Sequence, residues 1–166
     1  MALFANFRKI HRTKHKPGEK PIMAWDGKCG FCHYWVIKWK LNTGDRVIYK
    51  PYQEVHQNFP DIDYKYFRQA IRFIDTDGKV YTGPGAVFQA LHGYGKRWKW
   101  LMVLYRNIWL FRVITDRFYA FVSANRNWIY QVTIRLFGRN PAKPKSYWAL
   151  YLGFLLLLIV GTITLV

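Results

Sequence analysis

The chain has only two cysteines, and both fall in one stretch, WDGKCGFCH, from Trp25 to His33. Their placement constrains the fold more than any other feature. The preceding PIMAW, residues 21–25, reads as a short buried strand that enters a turn at Asp26-Gly27. From Gly30 to Leu41 apolar residues recur at spacings of three and four, the period of a helix. Asn42-Thr43-Gly44 then supplies a stop. A cysteine pair therefore stands where a strand hands over to a helix.

Three chemistries fit such a pair. A thiolate at a helix N-terminus is stabilised by unpaired backbone N–H groups and the helix dipole. Cys29 would stand there, exposed, as nucleophile. Cys32, one turn on and on the same side, would resolve the mixed disulfide. Asp26 precedes Cys29 by three residues. A carboxylate so close raises a thiol pKa by charge, so it reads as a cap of the turn and an acceptor of the Cys32 proton. The second chemistry is covalent haem, because His33 completes a CxxCH string. It ranks below redox, since that maturation happens outside the cytosol and no apolar signal core of about 7 residues follows the basic start. Zinc comes third. It needs four ligands, and His11 and His15 are the available partners, in an arm rich in opposing Lys and Arg. No bound cofactor or metal is expected.

Further along, Arg46–Tyr49 reads as a second strand and Pro51–Asp63 as irregular, with room for a short helix. Ala70–Ile74 and Val80–Thr82 flank Asp75-Thr76-Asp77-Gly78, a hairpin signal. Gly83-Pro84-Gly85 opens another helix, Ala86–Leu91. The two glycines suit a turn needing positive φ, or a close approach of substrate backbone. The expected fold is α/β: a thioredoxin-like central sheet flanked by helices over residues 21–95. Residues 1–20 read as a mobile basic arm. Residues 96–140 read as a helical extension, with one helix in KRWKWLMVLYRNIWLF and a second in TDRFYAFVSANRNWIYQVTIRLF.

The formal net charge is +17, and all 26 Lys and Arg precede Ser146. The final 20 residues, 147–166, carry no charge. A helix of that length spans a bilayer's hydrocarbon core. Tyr147, Trp148 and Tyr151 suit its interface, and the Lys and Arg before it favour a cytoplasmic body held by a single C-terminal pass. With no nucleic-acid motif in view, the positive charge points to anionic lipid headgroups rather than nucleic acid. A membrane-protein partner is also compatible.

These blocks resemble the thiol-disulfide oxidoreductase DCC family, named for an Asp and two Cys, here Asp26, Cys29 and Cys32. DTDGKVYTGPGAVFQAL is similar to the family's hairpin and glycine turn. DRFYAFVSANRNW is similar to its Tyr and Asn-Arg signature, at Tyr119, Asn125 and Arg126. The similarity runs from about Ile22 to Leu136. It implies a thioredoxin-like fold and exchange with thiol or disulfide substrates. Asn125 and Arg126 read either as helix-end packing and capping residues or as support for the site, with Arg126 in contact with the Asp26 loop. Thioredoxins place a cis-proline before the third strand, and Arg68-Gln69-Ala70-Ile71 has none. The alternative is a membrane scaffold whose dithiol is idle.

Overall fold

In the computed structural model, residues 7–143, 149 and 151–153 are described. At the centre lies β1, Ile22–Trp25, four residues with both faces buried. Its neighbours are β2, Ile48–Pro51, running parallel, and β3, Arg72–Ile74, running antiparallel. Outside β3 lies β4, Val80–Thr82, so the sheet order is β2-β1-β3-β4. A parallel neighbour needs a crossover, and α1, Gly30–Thr43, supplies it.

Strand periodicity divides the core in two. Ile22 and Ala24 face one side with Ile74 and Val80, against Tyr52, Phe59 and Phe67. That side is covered by α2, Tyr52–Val55, and α3, Tyr64–Gln69. Met23 and Phe73 face the other side. There α4, Pro84–Tyr94, brings Ala86 and Ala90 against them. In register, Tyr49, Met23, Phe73 and Tyr81 form one row across all the strands. The expected α/β order of strand, helix, strand, hairpin and helix is therefore present.

The first core holds one charged group. Arg72 is fully buried on β3 beside Ala24. Among the described residues no carboxylate meets it. Its guanidinium donates to the Tyr66 carbonyl at 2.8 and 3.1 Å, to Thr82 Oγ1 at 2.8 Å and to the Arg8 carbonyl at 3.2 Å. Burial pushes its pKa down to about 10. The bond to Arg8 also holds the N-terminal segment. That segment, expected to be a mobile arm, is tied down from residue 7 onward. The Thr13 N–H donates to the Gly78 carbonyl and the Val80 N–H to the His11 carbonyl, so the arm lies along the open edge of β4. Thr13 and Lys14 both bind the Asp61 carboxylate. An unpaired sheet edge is a liability, and this cover removes it.

Several expected boundaries shift. Gly44–Arg46 is a 3-10 turn, so the second strand begins at Ile48 rather than Arg46. The helix α3 lies in a stretch given no structure from sequence. The extension makes three helices rather than two: α5, Trp100–Asn107; α6, Trp109–Ala124; and α7, Arg126–Phe137. The chain turns at Ile108, and again at Asn125, whose N–H and side-chain amide cap the end of α6. On α6, Leu110, Ile114, Phe118 and Phe121 share one exposed face. The segment 147–166, expected to cross a membrane, lies almost entirely outside the described residues. Among the described residues no helix is long and apolar enough to do so.

Buried tyrosines give the fold an alkaline limit. Tyr49 shares a hydrogen bond with Thr43 at 3.0 Å, and burial pushes its pKa up to about 12. Tyr94 is pushed up to about 12 by burial and by donating to the Asp75 carboxylate. An unfolded tyrosine ionises near 10. With the folded values raised, this stability is complete below about pH 10 and is lost as pH climbs toward about 12. The urea midpoint should fall across that interval. Tyr49→Phe should remove part of the fall; an unchanged pH slope would show that Tyr49 is not among the groups responsible.

Candidate active site

The strand β1 ends at Trp25, and the next residues turn sharply. The Asp26 carbonyl accepts from the Cys29 N–H at 3.1 Å, and Asp26 Oδ1 accepts from the Lys28 N–H at 3.2 Å. Asp26 thus caps the turn, as read from sequence. Gln53 of α2 clasps the same loop. Its amide donates to Asp26 Oδ1 at 3.0 Å, and its carbonyl accepts from Gly27 at 3.2 Å. Nothing in the sequence singled out Gln53, because it comes from a stretch without periodicity.

Cys29 occupies the N-cap of α1, and its Sγ accepts from the Cys32 N–H at 3.1 Å. The two cysteines are joined as a disulfide, with Cα atoms 5.2 Å apart. Their exposure reverses the expectation. Cys29 is buried, with 8% of its surface exposed. Cys32 is half-buried and lines a pocket. Close to the start of α1 stands α7: a β-carbon on Gly30 would be 3.1 Å from the Tyr130 ring. Sequence could not show this, because Tyr130 is a hundred residues away from Gly30 along the chain.

Arg126 opens α7 and reaches back to the turn. Its Nη1 donates to Asp26 Oδ2 at 3.0 Å and stands 4.0 Å from Cys32 Sγ. The contact expected between Arg126 and the Asp26 loop is present. Asn125 does not touch the dithiol. It accepts the Ile129 N–H and so forms the joint that aims α7. Gly83 has φ +60 and meets the rings of Phe7 and Tyr119; a side chain there would be strained. Gly85 has no positive φ and instead gives room to Tyr105. Neither glycine lines the pocket.

The pocket holds about 550 Å³, counting its open mouth. Trp25, Phe31, Trp35, Trp39 and Phe67 wall it, with Arg68 and Arg126 among its polar lining. Tyr119 closes one side, and its hydroxyl accepts the Ile71 N–H at 3.0 Å. Burial pushes the Tyr119 hydroxyl pKa upward. The segment before β3, where thioredoxins carry a cis-proline, thus has its backbone donor already used. There is no cis peptide bond among the described residues.

The other two readings of CGFCH lose their geometry. His33 stacks on the Trp25 ring, centroids 5.5 Å apart, and the two sulfurs are bonded to each other. His11 lies beside Val80, which pairs with Ile74, itself the partner of Ile22 at the start of β1. That is the opposite end of β1 from Trp25 and the dithiol, so a set of His11, His15, Cys29 and Cys32 is not assembled.

A family model described as DCC1-like thiol-disulfide oxidoreductase matches residues 23–132, which include the loop, the disulfide, the pocket walls and Arg126. The chain belongs to this family. No curated protein and no solved structure matches it. Thiol or disulfide substrates follow from the family, and the Cys29–Cys32 disulfide is the group that would exchange with them.

The Arg126 guanidinium favours a negative charge on the sulfur beside it. Arg126→Leu should raise the pKa of the Cys32 thiol in the reduced protein, and Arg126→Lys should recover part of the difference. Far-ultraviolet thiolate absorbance against pH reads this directly. An unchanged titration would leave Arg126 a purely structural tie.

Proposed function

We propose that this protein is a membrane-anchored thioredoxin-like oxidoreductase that exchanges disulfides through Cys29 and Cys32. The observation that carries the catalytic part is the disulfide itself, capping α1 at the end of the central strand, with a cation beside one sulfur and a pocket in front of it. The sheet order β2-β1-β3-β4, with a parallel β1–β2 pair and an antiparallel hairpin, supports the thioredoxin-like assignment. In this reading the helix N-terminus holds the Cys29 thiolate, Arg126 stabilises negative charge at Cys32, and Asp26 holds Arg126 and takes up the thiol proton. Exchange of this kind needs no bound cofactor.

The membrane part rests on the uncharged stretch 147–166, on the exposed face of α6, and on the charge between them. Every charged residue of 96–143 except Asp116 is basic. Asp116 is occupied by Lys9 and the Tyr105 hydroxyl. Trp100, Trp109 and Trp128 are exposed on the same three helices. Such rings and cations suit an anionic bilayer surface, with the body on the cytoplasmic side.

Two experiments test the two parts. In glutathione buffers the pure protein should show one reversible two-thiol transition, at roughly −270 to −120 mV like known dithiol exchangers. Thiols that stay fully labelled at every potential would remove the exchange reading. The full chain should resist extraction from membranes by high salt. A chain ending at Lys145 should bind vesicles of anionic lipid at low ionic strength and leave them at high. Indifference to lipid charge would remove the lipid surface but not the anchor.

A further inference from the structure

The pocket beside Cys32 points to both the point of attack and the kind of molecule that arrives there. We infer that Cys32, not Cys29, is the sulfur that exchanges with substrate, and that the substrate is a compact aromatic thiol or disulfide bearing a carboxylate. The inference rests on the exchange reading above.

Three observations carry it. The first is access. Cys29 is buried, whereas Cys32 is half-buried and lines the pocket. The second is the character of the walls. Trp25, Phe31, Trp35 and Trp39 present ring surfaces suited to another ring. An extended peptide is served poorly at the nearest backbone, since the Ile71 N–H is bound by Tyr119 and the Ile71 carbonyl accepts from Gly83 at 2.9 Å. The third is polarity. Arg126 lies beside Cys32, and Arg68 is exposed where it lines the pocket. Two guanidinium groups at one pocket favour an anionic group on the molecule that enters it.

The chemistry balances with these groups alone. The reduced protein meets a disulfide, RS–SR. The Cys32 thiolate attacks one sulfur, forming a Cys32–SR bond and releasing the first RS⁻. The Cys29 thiolate, held by the Cys32 N–H at the helix start, then attacks Cys32 Sγ. The Cys29–Cys32 bond forms, the electron pair of the broken bond leaves with the second RS⁻, and the two protons lost by the cysteines go to the two RS⁻ groups. The substrate is reduced by two electrons and the protein is oxidised by two. With a thiol substrate every step runs backward.

The probe is dithiobis(nitrobenzoate), an aromatic disulfide with a carboxylate on each ring, used on the reduced full chain. Cys29→Ser should react about tenfold or more faster than Cys32→Ser and keep a stable mixed disulfide on Cys32. The charged probe should also gain over uncharged dithiodipyridine, relative to the same ratio for free cysteine, and Arg126→Leu should erase that gain. Limited alkylation of the reduced unmutated chain, mapped by mass, should mark Cys32 first; this serves if either serine variant folds poorly. Faster reaction or first alkylation at Cys29 would overturn the assignment of Cys32. No advantage for the charged aromatic probe would overturn the substrate class. Either failure alongside an intact two-thiol transition in glutathione leaves the exchange reading standing, whereas loss of that transition removes both.

Discussion

Everything in this fold depends on burying both faces of a strand only four residues long. β1 carries Ile22 and Ala24 to one core and Met23 to the other, so neither core closes without it. A strand so placed needs a layer on each side. Short helices after β2 supply one layer, and α1 and α4 supply the other. The dithiol inherits its position from this arrangement. It lies just past the carboxyl end of the central strand, where the chain must leave the sheet and where helix N–H groups stand unpaired.

The features read correctly from sequence are those written locally. A buried run, a turn at Asp26-Gly27 and a helical period from Gly30 place the cysteines. The signal at Asp75-Thr76-Asp77-Gly78 places the hairpin, and Gly78 and Gly83 do take the positive φ their turns require. What was missed is non-local. The N-terminal segment has no apolar period because it is held mainly by hydrogen bonds, at Gly78, Val80 and Asp61, with Ile10 packing singly against the first core. The turns at Ile108 and Asn125 carry no glycine or proline, and Asn107 and Asn125 are weak signals inside runs that otherwise read as helix. The exposure of the two cysteines depends on tertiary packing around the start of α1, and a pattern of spacings says nothing about that.

Arg126 shows how far local reading extends. Its contact with the Asp26 loop was one of two roles open to it, the other being helix-end packing, and no spacing rule would bring together residues a hundred positions apart. The pair is partly exposed, so its contribution to stability is modest. Its consequence is positional. By holding α7 against the loop it sets the guanidinium near one sulfur, while Tyr130 of the same helix stands at Gly30 next to the other. One helix thus treats the two cysteines differently.

This asymmetry also bears on the extension as a whole. In a bare sheet-and-helix domain the N-terminal cysteine of the pair is the open one, because the helix start projects outward. Here the sequence adds α5–α7, and their inner side makes a wall of the pocket through Tyr119, Val122, Ser123 and Arg126. Their outer side shows Leu110, Ile114, Phe118 and Phe121 to the surroundings. A helix built only to complete the core would carry polar residues outward and leave no pocket inward. The sequence of α6 instead carries two surfaces, one lining the pocket beside Cys32 and the other exposed and apolar.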